Sequence, residues 1–489
     1  MASSRLTLSA LTLGVSLALA APMAAFAQAA ANAATAAPKT YYVEPGTYGT
    51  QRETDPPAYV KNIGTTNKNS LTWLDAGIEY RMRYEYRDDD LRRPYPTGND
   101  DYFLHRTRVF AAVKNVLDPL RFTVELTDSR LFGSIYPRDV RDVDHMEFIQ
   151  GYAELYFNSL FAKDPRGNAR PLRIRAGRHA FEVLDRRLVA RNEWRNTTNS
   201  FEGVRVNLGD DNNDWALEGW SLKPITRLEH EVDKPNLDIN FNAVVGHLRF
   251  LSPGITVEPY YFQLDQDGSA ANAFRERNIL SPGVRAYGRI GSAINYDVSV
   301  TKQHGRDGTQ NVDAEALTAE IGYSWSSLKW RPRLSASYGY ASGDDATTAG
   351  TSERFERFYG FGRPWSADDY FIYENLHAPK LRVEFQPYTG IRVDAGYNWY
   401  RLASSTDRFN NLLGGAAGNR DRLGRSGSDA GSNWDFRVRF PVMKHVQGTI
   451  GYSSYDAGNF SQNRQRATTG NSADGSDFFY VEMVWRWFE

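Results

Sequence analysis

The 489-residue chain contains no cysteine, which excludes disulfide bonds, thiol catalysis and an anchor on a lipidated cysteine. It also lacks an excess of charge of either sign, because 58 basic and 59 acidic residues leave a formal net charge of -1. This balance argues against binding of nucleic acid through the overall field of the protein. The hydrophobic content of 41% is enough to fill a core, so disorder of the whole chain is not expected.

Long hydrophobic runs are absent as well, except at the N-terminus. There Arg5 precedes an uncharged apolar stretch from Leu6 to Ala20, and Ala25 and Ala27 place small residues where a signal peptidase reads them. We therefore expect a signal peptide over residues 1–27, cleaved after its last alanine. No later run approaches the ~20 apolar residues of a helical membrane span, so the exported chain would cross a membrane only with strands.

The pattern that is present is an alternation of period two. Between residues 78 and 86, aromatic or aliphatic side chains alternate with charged ones, as on the two faces of a strand and unlike the faces of a helix. Similar stretches recur along the chain and predict eighteen strands. The predicted bounds are 71–86, 102–115, 119–129, 147–158, 171–178, 199–208, 213–222, 238–250, 254–264, 282–290, 293–304, 312–325, 329–341, 377–386, 390–402, 433–441, 445–455 and 477–488.

The predicted connections differ in length in a regular way. After even-numbered strands they are mostly tight turns, such as 291–292 and 387–389, with one longer link at 159–170. After odd-numbered strands they are mostly long, as at 342–376 and 403–432. An even strand count with short turns at one end and long loops at the other is typical of outer-membrane barrels. The prediction is an all-β fold: a single transmembrane antiparallel β-barrel with short periplasmic turns and long extracellular loops.

This architecture divides the chain into a signal peptide, an N-terminal periplasmic lead over residues 28–70 that is partly flexible, and a barrel over residues 71–489. Such a barrel lies in the outer membrane of a Gram-negative bacterium, with membrane lipid around it. Because a closed barrel has no free strand edge, we expect a monomer.

Arginine dominates the basic residues, since 47 of the 58 are arginine. If the apolar positions of each strand face lipid, their alternates face the lumen. Acidic residues on the same faces are fewer, namely Glu79, Glu85, Glu125, Glu154, Glu320, Glu384, Asp394 and Asp435. The predicted lumenal arginines are Arg81, Arg83, Arg106, Arg108, Arg121, Arg173, Arg175, Arg205, Arg285, Arg289, Arg333, Arg382, Arg392, Arg437 and Arg439.

Two interpretations of these arginines stay open. Guanidinium groups bind carboxylates in a bidentate way and stay charged at any working pH, so an excess of them in a pore favours anion selectivity. Paired with carboxylates of neighbouring strands, each arginine would only brace the wall. For the excess as a whole we favour selectivity, because the acidic clusters, such as 88–90 and 210–211, fall in predicted loops.

The sequence shows no signature of an enzyme or of a resident cofactor or metal. It contains no Gly-x-Ser-x-Gly elbow, no His-Glu-x-x-His pair and no Gly-rich phosphate loop. The eight histidines are scattered without metal-ligand spacing. Acidic loop clusters are possible calcium ligands, but none has the twelve-residue spacing of a calcium loop, so calcium binding stays open.

Three stretches carry more specific motifs. The first, residues 173–208, contains Gly177-Arg178, then Trp194-Arg195-Asn196-Thr197, then the run from Ser200 to Arg205. The second, residues 332–344, ends in Ala-Ser-Gly-Asp, and the third, residues 375–407, spans two strands around a short turn. In this order they resemble the bacterial alginate-export outer-membrane porin family.

That resemblance implies an eighteen-stranded barrel whose arginine-rich constriction passes an anionic uronic-acid polymer to the outside. By position, it implies that Arg178, Arg195, Arg205 and Arg333 lie at or near the constriction. It does not distinguish the mannuronate and guluronate polymer from another anionic glycan or a small acid.

Three functions are therefore weighed. The first is passive export of an anionic, alginate-like exopolysaccharide, delivered by a periplasmic export partner. The second is uptake of small organic acids or oligosaccharides through the same arginines. The third is a surface receptor or adhesin that uses the loops 342–376 and 403–432, with the barrel as its anchor. The loop aromatics Tyr359, Trp365, Tyr370 and Tyr373 fit either sugar stacking or a loop folded back as a plug.

Overall fold

The computed structural model describes residues 53–90, 98–408 and 420–487, so the predicted signal peptide and the first part of the lead lie outside the described residues. The described chain forms eighteen long strands, as predicted. They are β1 Leu74–Asp88, β2 Asn99–Val113, β3 Leu120–Phe132, β4 Asp144–Phe157, β5 Leu172–His179, β6 Phe201–Leu208, β7 Trp215–Thr226, β8 Ile239–Leu248, β9 Ile255–Gln266, β10 Arg277–Ile290, β11 Ile294–Asp307, β12 Gln310–Ser324, β13 Arg333–Ala341, β14 Leu376–Tyr388, β15 Ile391–Arg401, β16 Asp429–Met443, β17 Val446–Ala457 and β18 Gly475–Trp487.

The sheet closes on itself. Each long strand pairs with the next in antiparallel register, and β18 returns to β1, where Ile78 lies opposite Trp487 and Asp88 opposite Asp477. A closed sheet leaves no unpaired edge. The described chain also has helices α1 Ile63–Asn67 and α2 Asn459–Thr469, a short 3-10 turn and three two-residue strands. None of its described helices is long and apolar enough to cross a membrane.

Connection lengths alternate around the barrel as the sequence predicts. Short turns such as 389–390 and 444–445 join strands at one end, here called the short-turn end, and the longer link there is 158–171. The other end, the long-loop end, carries connections such as 342–375. One connection at that end is short, because β11 and β12 extend further than predicted and meet at residues 308–309.

Side chains alternate between the two faces of the wall. On β1, Tyr80 and Tyr84 are partly exposed on the outer face, whereas Arg81, Arg83 and Glu85 are each at most 3% exposed. Apolar side chains that are exposed on the outer face recur on most strands, as lipid contact requires. Examples are Phe122, Leu155, Val206, Leu217, Val244, Tyr261, Ile321, Leu334, Leu381, Trp399 and Trp434.

Two long connections fold into the lumen, and we call them the first inward loop (180–200) and the second inward loop (342–375). They pair with each other: the backbone N–H of Tyr359 donates to the carbonyl of Leu188 at 3.0 Å, and that of Phe361 to Arg186 at 2.9 Å. A Cβ at Gly360 would collide with the neighbouring carbonyl of the first loop, so only glycine allows this approach.

The largest apolar cluster of the described chain lies between these loops and the wall. It contains Phe201 of β6, Phe241 of β8 and Phe262 of β9, each fully buried, together with Phe358 of the second inward loop. The inner faces of β8 and β9 are therefore apolar here, while Val244 and Tyr261 face outward. This explains why period two is least clear in these two strands.

The described part of the N-terminal lead also lies inside the barrel. Residues 61–62 pair with β1 near its start, at the short-turn end. The preceding segment, residues 53–60, extends from there into the lumen and is here called the inner segment. The Tyr59 hydroxyl donates to Glu125 at 2.6 Å, and the backbone N–H of Glu53 donates to Glu182 of the first inward loop at 2.6 Å. The inner segment thus connects the wall to the first inward loop.

Candidate functional site in the barrel lumen

Two cavities of the described lumen lie on either side of the inner segment, and a smaller pocket lies near the long-loop end, lined by residues that include Arg83, Arg87 and Arg195. The first cavity has a volume of about 470 Å³ and is bordered by β1, β12 to β14 and β16 to β18. The second has a volume of about 400 Å³ and is bordered by β5 to β8 and the turn 209–214. Glu53 and Thr54 line both, so the inner segment is the partition between them.

The two cavities differ in charge. The first has ten basic and six acidic side chains and is called the basic cavity. The second has four arginines, one histidine and six carboxylates and is called the mixed cavity. The basic residues of the basic cavity are Arg81, Arg186, Arg187, Arg333, Arg363, Lys380, Arg382, Arg437, Arg439 and Arg486. Its acidic residues are Glu53, Glu193, Glu320, Glu384, Asp435 and Glu482.

A group of three arginines around one carboxylate lies on the wall of the basic cavity. Asp394 of β15 is fully buried and forms ion pairs with Arg382 of β14 and with Arg437 and Arg439 of β16. The Arg437 Nε lies 3.0 Å, and an Nη of Arg439 3.2 Å, from Asp394 Oδ2. Arg382 also approaches Asp435 at 3.4 Å. We call Asp394 and its three arginines the Asp394 cluster; Asp435 and Glu384 lie at its border, both beside Arg382.

Two further cations of the basic cavity have no ion-pair partner. Within the described residues, no carboxylate lies within 4.0 Å of the Arg363 guanidinium or the Lys380 ammonium. Arg363 instead lies 3.3 Å above the ring of Trp194 and donates to the Tyr480 hydroxyl at 2.9 Å. Burial, together with Arg437, lowers the pKa of Arg363, but arginine starts so far above neutrality that the group stays charged.

The wall beside the mixed cavity is organised differently. Six consecutive strands, β6 to β11, each contribute one buried group to a chain of ion pairs with distances between 2.6 and 3.3 Å. Three bases alternate with three carboxylates, so each inner member lies between two groups of the opposite type. We call it the charge ladder, and its members are Arg205, Glu218, His247, Glu258, Arg285 and Asp297.

The arginines of β1 and β2 hold the first inward loop. Arg81 donates to the Glu193 carbonyl and Arg83 to the Trp194 carbonyl, each at 2.7 Å. Arg108 contacts the Glu193 carboxylate at 2.5 Å, and Arg106 contacts it at 3.2 Å. These four predicted residues therefore face the lumen but are engaged with a loop.

The remaining predicted arginines occupy varied positions. Arg175 pairs with Asp55 and Glu154, and Arg173 lines the mixed cavity. Arg121 pairs with Asp118 in a turn at the short-turn end, and Arg289 is exposed near the same end of β10. Arg392 of β15 lies opposite Arg439 of β16.

The structure separates the four residues that the family resemblance places at a constriction. Arg333 lines the basic cavity and pairs with Glu320 and Glu384. Arg205 lines the mixed cavity, and Arg178 and Arg195 line neither. Arg195 lies in the first inward loop, 4.0 Å from Asp369, and burial lowers its pKa to about 10.

Alternation along strands missed several residues of the basic cavity. Arg186, Arg187, Trp194 and Arg363 belong to the inward loops, where no period indicates a direction. Alternation does indicate a lumenal position for Lys380, since it precedes the predicted Arg382 by two positions and so shares its face.

The aromatic residues of the second inward loop are part of the core. Trp365, Tyr370 and Tyr373 are each at most 5% exposed, and Tyr359 packs against the same apolar cluster. Trp365 stacks on Tyr373 with ring centroids 4.5 Å apart. The sequence allows either sugar stacking or a plug for these rings. They occupy the positions of a plug and are not available to a partner at the surface.

An eighteen-stranded closed barrel with a polar interior and inward loops is a porin-type outer-membrane channel. Residues 72–473 match the family model described as alginate export, and the chain therefore belongs to the alginate-export family. No curated protein matches the chain in sequence. Family and fold are those of transport channels and not of enzymes.

Solved structures from Pseudomonas aeruginosa share the fold. OccK8 (OprE) is 13% identical with a TM-score of 0.55, over 84% of this chain and 98% of that chain. OccK2 (OpdF) is 12% identical with a TM-score of 0.54, over 84% and 97%. OccK3 (OpdO) is 14% identical with a TM-score of 0.53, over 84% and 95%. At this identity the likeness concerns architecture alone.

Proposed function

We propose that this protein is an anion-selective outer-membrane channel for passive export of an anionic, alginate-like exopolysaccharide, and that the basic cavity selects the substrate. The observation that carries this proposal is the excess of ten basic over six acidic side chains in that cavity. This excess belongs to the side chains that line the cavity. Four carboxylates outside the lining pair with its arginines, namely Asp394, Asp185, Glu79 and Glu182. Membership of the alginate-export family supports the substrate class.

The chemistry of transport follows from these cations. A polyuronate presents one carboxylate per sugar, and guanidinium and ammonium groups replace part of the hydration shell that each carboxylate loses. Arg363 and Lys380 are suited to this role because, among the described residues, neither has a carboxylate within 4.0 Å. The Asp394 cluster supplies further positive charge nearby. Several sites of moderate strength in succession bind the polymer without trapping it.

The inner segment narrows the lumen beside the basic cavity, so passage of a polymer requires it to move. Its polar contacts include the pair of Asp55 with Arg175 at 2.5 Å and the hydrogen bond from Tyr59 to Glu125, and Tyr59 and Val60 also pack against Phe110. The lead that continues into this segment would lie in the periplasm, after removal of residues 1–27. A periplasmic export partner that delivers polymer could displace the segment from there.

A second function is uptake of small organic acids or oligosaccharides. The observation in its favour is the narrowing of the lumen by both inward loops, which leaves cavities closer in size to a small solute than to a polymer. Small acids would reach the same cations without large loop movement.

Block of single channels by oligouronates tests the proposal. The purified protein, as a monomer in a planar bilayer, is expected to be blocked by an oligomannuronate and not by a neutral oligosaccharide of equal length. Arg363→Gln combined with Lys380→Gln should weaken this block severalfold, because both removed charges lack a carboxylate partner.

A matched control is Arg130→Gln, which removes a 44% exposed arginine on the outer side of the barrel and should leave block unchanged. Equal block by charged and neutral oligosaccharides would contradict the proposal. Equal block of the double variant and the control would remove the basic cavity from it.

A further inference from the structure

Three buried carboxylates meet at the long-loop end of the barrel. Asp144 and Glu147 are the first and fourth residues of β4, and Asp233 belongs to the connection 227–238 between β7 and β8. One oxygen of each lies within 4.8 Å of an oxygen of each of the others. All three residues are at most 3% exposed. This carboxylate group lies apart from both lumenal cavities.

Two of the three carboxylates have partners. Glu147 accepts the Asp233 backbone N–H at 2.7 Å and pairs with Arg178 at 3.0 Å. Asp233 accepts the backbone N–H of Leu228 at 2.7 Å. These contacts orient both side chains, and they leave the group with more acceptors than donors.

Asp144 differs from the other two, because the described residues give it no hydrogen bond. It is 1% exposed, and neither of its carboxylate oxygens has a hydrogen-bond partner among the described residues. Thr127 of β3, which lies opposite Glu147 of β4, is also buried, and its hydroxyl has no partner among the described residues. An ionised carboxylate that is buried without a partner is costly, and folded proteins rarely leave one unless a ligand compensates it.

Nearby cations do not balance the group. Arg178 is shared between Glu147 and Glu202, and Arg227 donates to the carbonyls of Val140 and Thr198 and to Asn199. The group therefore lacks positive charge.

We propose that Asp144, Glu147 and Asp233 bind one calcium ion, which fastens the connection 227–238 to β4. Carboxylate oxygens are the ligands that calcium prefers, at about 2.3–2.6 Å, so two oxygens on one ion lie at most about 5 Å apart. The observed spacing falls within that limit. Magnesium, with bonds of about 2.0–2.1 Å, needs a tighter and more regular arrangement.

The same two parts of the chain meet at a second contact beside the carboxylates. The rings of His145 and His230 lie with centroids 4.7 Å apart, and the backbone N–H of His145 donates to the Glu229 carbonyl at 3.4 Å. Calcium would complete this contact from the buried side. The inference does not depend on which solute the channel carries.

Titration calorimetry of the full-length protein tests the site. The protein is refolded in detergent without lipopolysaccharide, which itself binds divalent cations, and is freed of metal by a chelator before calcium is added. We expect one saturable site per chain, with magnesium as a weaker competitor. Asp144→Asn should weaken calcium binding by at least about tenfold.

The matched control is Glu231→Gln. Glu231 lies on the same connection, is 72% exposed and pairs with Lys234, so its loss removes one negative charge without touching the site. Its calcium affinity should equal that of the unaltered protein.

Absence of saturable calcium binding by the unaltered protein would overturn the proposal and would indicate that Asp144 is instead protonated. Equal affinities of Asp144→Asn and the control would overturn it too, as would tighter binding of magnesium. The heat-dependent gel mobility of folded barrels shows whether each variant folds. If Asp144→Asn does not fold, Asp233→Asn takes its place under the same criteria.

Discussion

The charge ladder and the Asp394 cluster are built from the same residue types on the same inner wall, yet they differ in how charge is distributed. In the ladder, three bases alternate with three carboxylates, as for Arg205 with Glu218 at 2.7 Å and Arg285 with Asp297 at 2.6 Å. In the cluster, three arginines share Asp394. Thus a lumenal arginine alone does not indicate selectivity, and the number of carboxylates around it does.

The two regions also differ in what they can offer a solute. Ladder groups satisfy one another across six strands, so an incoming anion would have to displace a carboxylate that is already held. Cluster groups, with Arg363 and Lys380 nearby, present charge that is only partly compensated. The ladder therefore braces the wall, and the cluster belongs to the proposed path.

Loss of the shared carboxylate should have the largest effect. Asp394→Asn leaves three partly buried arginines without their common partner, and breaking ion pairs of a buried carboxylate typically costs about 3–5 kcal/mol. The free energy of unfolding in urea should fall by that amount, while anion preference in a planar bilayer should rise.

The control for this change is Asp128→Asn, a partly exposed carboxylate paired with Arg130, whose loss should cost less than about 1 kcal/mol. An Asp394→Asn barrel as stable as the control would show that the cluster arginines do not depend on this carboxylate.

Breaking the ladder should affect stability but not selectivity. Glu258→Gln removes the carboxylate between His247 and Arg285, which lie 2.8 and 3.0 Å from it. We expect a loss of about 3 kcal/mol in the free energy of unfolding. The reversal potential in a salt gradient should stay unchanged, because the ladder is not on the proposed path.

Glu315→Gln is the matched change in an exposed pair, since Glu315 contacts a half-exposed Lys302 at 3.6 Å, and it should alter neither property. A shift in reversal potential for Glu258→Gln, without one for Glu315→Gln, would place the ladder on the conducting path and abolish the distinction drawn above.

Release of the partition should have the smallest effect on stability. Asp55 of the inner segment is 40% exposed and pairs with Arg175 at 2.5 Å and Arg205 at 3.8 Å. Asp55→Asn should cost about 1 kcal/mol, because the contact is partly solvated. It should also raise the single-channel conductance and make the mixed cavity more basic. Unchanged conductance would show that the inner segment does not restrict the lumen.

The sequence predicts the barrel well, because strand alternation and turn length are local properties. Its weakest strands, β8 and β9, are those whose inner faces are apolar. Phe241 and Phe262 face the inward loops while Val244 and Tyr261 face outward. Both faces are therefore apolar there, and the alternation of polar and apolar residues is weak.

The site is predicted less completely, because alternation indicates a face and not a partner. Several carboxylates that belong to predicted loops lie in the lumen, because these loops fold inward. Glu193 of the first inward loop, for example, pairs with Arg106, Arg108 and Arg191. No local pattern shows that a loop folds inward, or that residues 186–190 pair with residues 359–361.

The carboxylate group at the long-loop end shows the same limit. Asp144 and Glu147 are close in sequence, but Asp233 joins them only through the fold, and no calcium-loop spacing marks the three. A search for contiguous acidic clusters therefore finds exposed runs such as 210–211 and misses this buried group.

The most direct test of the central claim is the reversal potential of single channels of the unaltered protein in a potassium chloride gradient. The account predicts a potential of the sign set by chloride, because the side chains that line the basic cavity carry a net positive charge. A potential of zero, or of the sign set by potassium, would show that the lumenal arginines are compensated throughout, and would contradict selection of anions by this channel.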